Sequence, residues 1–346
     1  MKTQIIKIND FSNLSKNSDI KKAGDILRNG GIVAFPTETV YGLGGNALLD
    51  DAAHKIYSAK GRPSDNPLIV HIAKPNEAEN YAVTNDCYYK LAKAFMPGPL
   101  TIILPKKSTI PMSVTGGLDT VAIRCPSHPV AHALLEVAGI PIAAPSANIS
   151  GKPSPTTASD VVEDMNGKID CIIDGGDCEI GLESTIIKLD GEKATLLRPG
   201  AVTPDALSFI CESVEISPAV TQMLKENEKV ISPGMKYKHY APDTPLVLLN
   251  GTKDNILDFM HKKSAETNCV LLLFSEFIPQ FKNSKYIDIG SINSLPEQAA
   301  KLFHALRLAD KIKAEIIYVP IPKQEGLGLA LYNRLLRAAA HTIINV

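Results

Sequence analysis

Short apolar runs, each closed by glycine, proline or a polar cluster, alternate with helix-patterned segments along most of this chain. That alternation confines it to the α/β class. The spacing predicts strands at 4–8, 32–35, 68–72, 100–104, 121–124, 140–144, 171–173, 185–189 and 194–197, and helices at 19–29, 50–58, 86–95, 128–137 and 159–165. Several of these strands come late and close together, so the expected sheet is mixed rather than purely parallel. Beyond a polar stretch the alternation becomes strict, with strands at 246–249, 270–274, 286–289 and 316–319 and helices at 256–262, 296–309 and 331–342. A small three-layer domain with a parallel sheet follows from that pattern. The chain divides into a first domain at 1–211, a linker at 212–244 that is helical over 218–227, and a second domain at 245–346.

A length of 346 residues accommodates two domains, and 45% hydrophobic content is ordinary for a globular protein. A formal net charge of −1 argues against a chain that wraps nucleic acid through bulk basicity. Neither a leader peptide nor an apolar run of membrane-spanning length is visible, so a cytoplasmic protein is expected. The six cysteines show no C-x-x-C spacing and read as reduced, partly buried small hydrophobes. His128 and His132 have helical ligand spacing but no third ligand, so no metal site is assigned.

Polar clusters sit at strand ends in the first domain. Lys60-Gly61-Arg62-Pro63 fixes two cations beside a glycine turn, with Asn66 close behind. Pro145-Ser146-Ala147-Asn148 places a hydroxyl and an amide directly after the apolar run 140–144. If these two segments meet, they form a site for a phosphorylated anion. The run from Pro36 to Gly44 sets hydroxyls and glycines at a strand end, where a backbone can approach a ligand closely. Arg124 emerges from an apolar strand and, if buried, demands an anionic partner, either a protein carboxylate or a substrate. His71 ends another apolar strand, where a lone histidine is more often a satisfied core or edge residue than a catalyst. Glu183-Ser184-Thr185 and Arg198-Pro199-Gly200 decorate later strand ends. No Walker phosphate loop, kinase glycine loop, Gly-x-Gly-x-x-Gly or Gly-x-Ser-x-Gly elbow is present.

At these residues the chain closely resembles the YrdC/Sua-type threonylcarbamoyl-AMP synthases in their long, two-domain form. The family's Lys-x-Arg followed much later by Ser-x-Asn stands here as Lys60-Gly61-Arg62 and Ser146-Ala147-Asn148. The 36–44 run, Arg124, 183–185, 198–200 and the decorated segment 232–242 match as well. The resemblance implies a twisted mixed-sheet YrdC-like domain with a concave face, followed by a smaller Rossmann-like parallel α/β domain. It implies a nucleotidyltransferase that converts L-threonine, bicarbonate and ATP, with Mg²⁺ on the triphosphate, into L-threonylcarbamoyl-adenylate and pyrophosphate. The product would feed tRNA N6-threonylcarbamoyladenosine formation by a separate transferase complex, without requiring direct tRNA binding.

Carried over by that resemblance, Lys60, Arg62, Ser146 and Asn148 act at the α-phosphate. Thr39, His71, Arg124, Ala144 (through its backbone) and Ser184 hold threonine. Arg62, Asn66, Thr120, Ser146, Ser154 and Arg198 contact ATP, and Ser232, Lys236 and Tyr240 close over it as a lid. The competing reading is a non-enzymatic binder of double-stranded RNA, disfavoured by the near-zero charge and the lack of an RNA-binding signature.

Overall fold

The computed structural model describes residues 2–222 and 239–346, which fall into two compact units. The first runs to Ser150 and continues with Pro155–Glu179 and the described residues from Glu183 to 222. Its strands are β1 (Gln4–Lys7), β2 (Val33–Phe35), β3 (Gly42–Asn46), β4 (Ile69–His71), β5 (Leu100–Pro105), β6 (Thr120–Arg124), β7 (Ile142–Ala144), β8 (Cys171–Asp174), β9 (Thr185–Asp190), β10 (Lys193–Arg198) and β11 (Ser213–Ile216). Among the described residues these form one sheet in the order β1-β8-β2-β3-β7-β4-β6-β5-β9-β10-β11. Parallel and antiparallel pairs alternate irregularly, as the late cluster of strands implies.

Two strands depart from the sequence expectation. β3 is a Gly-Leu-Gly-Gly-Asn stretch at which the apolar periodicity predicts no strand, yet all five residues are buried between β2 and β7. The reason is space. A Cβ on Gly44 would lie 2.6 Å from Ile142 Cγ2 and 2.7 Å from Phe35 Cε1. Glycine's low strand propensity is overridden because nothing larger fits. β11 pairs in parallel with β10, so the sheet extends past residue 211.

The helices cover the sheet unevenly. α1 (Ser18–Arg28) and α5 (Pro129–Ala138) pack together, and Ile20, Leu27, Val130 and Leu134 join Val33, Phe35, Ile142 and Ala144 in one core. α2 (Asp50–Lys60) lies on the opposite face, where Ala52 Cβ and Ile56 Cδ1 approach the Cβ position of Gly45 within 3.2 Å. It ends at Gly61 in the left-handed conformation, φ 62, which turns the chain directly into Arg62. Residues of one parity along a strand share one face. The register therefore puts Thr120, Ala122 and Arg124 of β6 beside Ile69 and His71 of β4, Ile142 and Ala144 of β7, and Thr101 and Ile103 of β5. A separate apolar cluster, Ile69, Ile103, Ala122, Ile186 and Leu197, floors this part of the sheet.

The second unit gathers the described residues from His239 to Val346 with Gly151–Ser154 and Ile180–Leu182. Its strands β12 (Leu246–Asn250), β13 (Cys269–Leu273), β14 (Tyr286–Asp288), β15 (Ile316–Pro320) and β16 (Ile343–Asn345) are all parallel, in the order β14-β13-β15-β12-β16. The last helix, Leu327–Ala338, ends four residues before the expected 342. Ala340 and His341 then take positive φ, 47 and 62, and turn the chain into β16. No glycine or proline marks that turn, so the pattern alone extends the helix. The expected helix at 218–227 begins as a short 3-10 turn, Pro218–Val220, and its part from 223 onward lies outside the described residues.

Candidate active site

Lys60 and the 146–148 segment meet. The Lys60 side chain is buried, 2% exposed, and its Nζ donates to the carbonyl of Asn148 at 2.5 Å, to the carbonyl of Ser146, and to Asn148 Oδ1 at 3.3 Å. Ser146 Oγ in turn donates to Asn148 Oδ1, and Ser150 N donates to the Lys60 carbonyl at 2.8 Å. The end of α2 is thus tied to the turn that leaves β7. Arg62, one left-handed glycine further on, folds back. Its Nε donates to the Asn66 carbonyl at 3.3 Å and its Nη2 to the Pro67 carbonyl at 3.1 Å, which fixes the approach to β4. Asn66 is 1% exposed and its Oδ1 has no hydrogen-bond partner among the described residues.

A second group surrounds Arg124. Its Nη2 donates to Glu38 Oε1 at 2.7 Å and to Thr39 Oγ1 at 2.9 Å. Glu38 Oε2 accepts from Ser127 N at 3.2 Å, and Thr37 Oγ1 lies 2.9 Å from Thr39 Oγ1 while donating to the Val40 carbonyl at 2.6 Å. Both members of the ion pair are buried, and Arg124 Nε has no partner among the described residues. His71 is the cross-strand neighbour of Arg124. Its Nδ1 is 3.0 Å from the Ile69 carbonyl, so the neutral ring carries its proton there, and its edge meets Phe35 at 6.2 Å. Burial, helped by the Arg124 charge, pushes the His71 pKa down to about 3. Cys178 adjoins this group, and burial raises its thiol well above the ordinary range.

A third group is joined to the second through Thr101, the cross-strand neighbour of Arg124 on the other side. Thr101 Oγ1 and Ser184 Oγ are 2.7 Å apart. Arg198 donates from Nη2 to Ser184 Oγ at 3.1 Å and from Nε to the Ser184 carbonyl at 3.0 Å. Two buried guanidiniums and the hydroxyls of Thr39, Thr101 and Ser184 therefore lie along one sheet face above an apolar floor.

Of the sequence-predicted residues, Lys60, Ser146 and Asn148 touch one another, as do Thr39 with Arg124 and Ser184 with Arg198. Asn66 and Arg62 form their own turn. Ala144 pairs with Ile69 within β7 and β4, and Thr120, half-buried, starts β6 opposite Pro105. Ser154 and Tyr240 fall in the second unit, where the Tyr240 ring is buried 5.3 Å from Phe303 and beneath the Arg334 guanidinium at 5.4 Å. Ser232 and Lys236 lie outside the described residues. Sequence reasoning passed over Glu38 and Thr101 as individuals. The signal for Glu38 was a lone carboxylate between two threonines at an apolar strand end. Thr101 reads in sequence as part of an apolar strand, and only the register reveals it.

His128 caps α5, its Nδ1 accepting from Val130 N at 3.2 Å, and His132 pairs with Glu136. Among the described residues no group of three or more His, Cys, Asp or Glu side chains could hold a metal ion, and no helix is long and apolar enough to cross a membrane.

Comparison with known proteins gives a consistent picture. The Sua5–YciO–YrdC family model, described as "Telomere recombination", matches residues 25–200. A second model, the threonylcarbamoyl-AMP synthase C-terminal domain, matches residues 202–340. The chain is 44% identical to the threonylcarbamoyl-AMP synthase of Pyrococcus abyssi over 94% of this chain and 96% of that protein. It is 43% identical to that of Bacillus subtilis, covering 99% of this chain and all of the other. It superposes on the crystal structure of P. abyssi Sua5 complexed with L-threonine with a TM-score of 0.90 at 40% identity, each chain covered completely.

Proposed function

We propose, from the premise that this chain belongs to the Sua5–YciO–YrdC family, that it synthesises L-threonylcarbamoyl-AMP and pyrophosphate from L-threonine, bicarbonate and ATP. The reaction makes it a nucleotidyltransferase. ATP arrives as its Mg²⁺ complex, and the product is passed to a separate enzyme that modifies tRNA. The setting is cytoplasmic. We assign the catalytic work to residues 1–211, closure to 212–244, and a supporting role to 245–346.

The observation that carries this reading is the line of buried cations and hydroxyls on one face of the first unit. Arg124 and Arg198 flank Thr39, Thr101 and Ser184, which suits a small zwitterion bearing a hydroxyl. Thr39, His71, Arg124, Ala144 and Ser184 are our threonine set. The amine of threonine attacks the bicarbonate carbon, and as the C–N bond forms the bicarbonate hydroxyl leaves with an amine proton as water, giving a carbamate. A carbamate oxygen then attacks the α-phosphate, the bridging P–O bond to the β-phosphate breaks, and pyrophosphate leaves. The transition state spreads negative charge over phosphate oxygens, so positioning and charge neutralisation supply most of the rate. We place Lys60, Arg62, Ser146 and Asn148 at that phosphate. The hydrogen bonds of Lys60 hold the Ser146–Asn148 turn in one conformation and lend it a positive charge from below. Asn66, Thr120, Ser154 and Arg198 complete the nucleotide set, with Ser232, Lys236 and Tyr240 for closure. His71, kept neutral because burial and the Arg124 charge push its pKa down, serves as a hydrogen-bonding wall of the threonine site.

Pyrophosphate release from ATP tests the proposal. It should require both threonine and bicarbonate, and a threonine-containing adenylate should be detected by mass spectrometry. ATP turnover indifferent to threonine, together with tight, salt-dependent RNA binding, would overturn it in favour of an RNA binder.

A further inference from the structure

We infer that Glu38 is the positioning residue for substrate-carboxylate recognition. It holds Arg124 by one nitrogen so that Nε–H is left to receive the carboxylate of the amino-acid substrate. This rests on the reading of the site as a threonine site.

The geometry behind it is specific. A guanidinium offers a side-on edge made of Nε and Nη2. Here Nη2 is committed twice, to Glu38 Oε1 at 2.7 Å and to Thr39 Oγ1 at 2.9 Å. Nε, on the same edge, is buried without a partner among the described residues. An unmade hydrogen bond on a buried charged donor is costly and is not kept without cause. Arg124 is 4% exposed and Glu38 5%. Glu38 is itself held from behind by Ser127 N at 3.2 Å. The pair therefore works as a rigid bracket, with one carboxylate built in and one donor waiting.

Two consequences distinguish this from a salt bridge that merely stabilises the fold. The built-in carboxylate makes the Arg124–Glu38 pair nearly neutral before substrate arrives. With Nη2 taken, the substrate carboxylate is recognised by the guanidinium donors that Glu38 does not occupy and not by a bidentate fork on the Nε–Nη2 edge, so its attraction depends on orientation more than on net charge. Removing the Glu38 charge should free the guanidinium to rotate, and binding should lose its preference for a carboxylate over a carboxamide. The loss should fall on threonine alone, because Glu38 touches Arg124 and Ser127 and no residue of the Lys60 group.

The experiment compares the parent protein with Glu38→Gln, measuring KM for threonine, KM for ATP, kcat, Tm, and the ratio of dissociation constants for L-threoninamide and L-threonine. The expected result is a rise of about tenfold or more in KM for threonine and a comparable fall in the ratio, with KM for ATP and kcat within about twofold. An unchanged ratio overturns the inference, and so does a uniform decline of every parameter together with Tm. If Glu38→Gln does not fold, Glu38→Asp keeps the charge but withdraws it by one methylene, and the same loss of discrimination is expected. If the parent protein binds neither threonine nor threoninamide, the reading of the site itself fails. Threonine binding by the parent with no effect at Glu38 overturns only the positioning role.

Discussion

Lys60 Nζ reaches across 88 positions of sequence to donate to the Asn148 carbonyl at 2.5 Å, and it binds the neighbouring Ser146 carbonyl from the same atom. One buried ammonium thus ties the end of a helix to a strand-end turn. The turn's own hydroxyl and amide are organised by the same contact.

Replacing this ammonium with an apolar side chain of similar length should show what it does. Lys60→Met leaves buried carbonyl groups without a donor, each costing about 1–3 kcal/mol. We expect Tm to fall by roughly 5 °C or more and pyrophosphate release to fall by at least about 100-fold. Thermal unfolding and a coupled pyrophosphate assay read the two effects separately, and an unchanged Tm would show that the clamp does not support the fold.

His71 makes a prediction about acid stability. Its folded pKa of about 3 lies below the ordinary histidine value of 6.5, chiefly through burial and then through the Arg124 charge. Above pH 6.5 both folded and unfolded states hold a neutral ring, and the residue contributes nothing to pH dependence. Below it the unfolded chain takes up a proton that the folded chain refuses, so stability falls as pH drops towards 3, by about 1.4 kcal/mol per pH unit from this residue. His71→Asn should flatten that slope in denaturant titrations between pH 6 and 4. An identical slope would place the acid sensitivity elsewhere.

Gly44 should not tolerate a side chain. An added methyl group would press on both Ile142 and Phe35 at under 3.0 Å in the centre of the sheet. We expect Gly44→Ala to cost on the order of 1–3 kcal/mol, with partial recovery in the double variant Gly44→Ala/Ile142→Ala. A non-additive double-mutant cycle in chemical denaturation checks the contact, and strict additivity would argue against it.

Ser184 links Arg198 to Thr101. Ser184→Ala removes the hydroxyl that both use, and we expect KM for threonine to rise by about tenfold and Tm to fall, because buried Arg198 and Thr101 each lose a partner. Isothermal titration with threonine alone separates this from an effect on ATP. Unaltered affinity would remove Ser184 from the threonine set.

The alternation of short strands and helices, the mixed character of the first sheet and the parallel character of the second were all legible in the sequence, because apolar periodicity and turn residues report directly on burial. So were the polar residues at the end of β7, Ser146 and Asn148, whereas Lys60, expected at a strand end, closes helix α2 instead. Other features were not. The buried Gly42–Asn46 strand looks like a turn until Phe35 and Ile142 close around it. Thr101 looks like one more residue of an apolar strand until its register sets it beside Arg124. Sequence left two partners open for Arg124, a protein carboxylate or a substrate. Only the folded chain brings Glu38 to 2.7 Å while leaving Nε without a partner among the described residues. The difference is physical. Periodicity and residue type determine which groups are buried, but which donor meets which acceptor depends on cross-strand register and close packing between segments far apart in the chain.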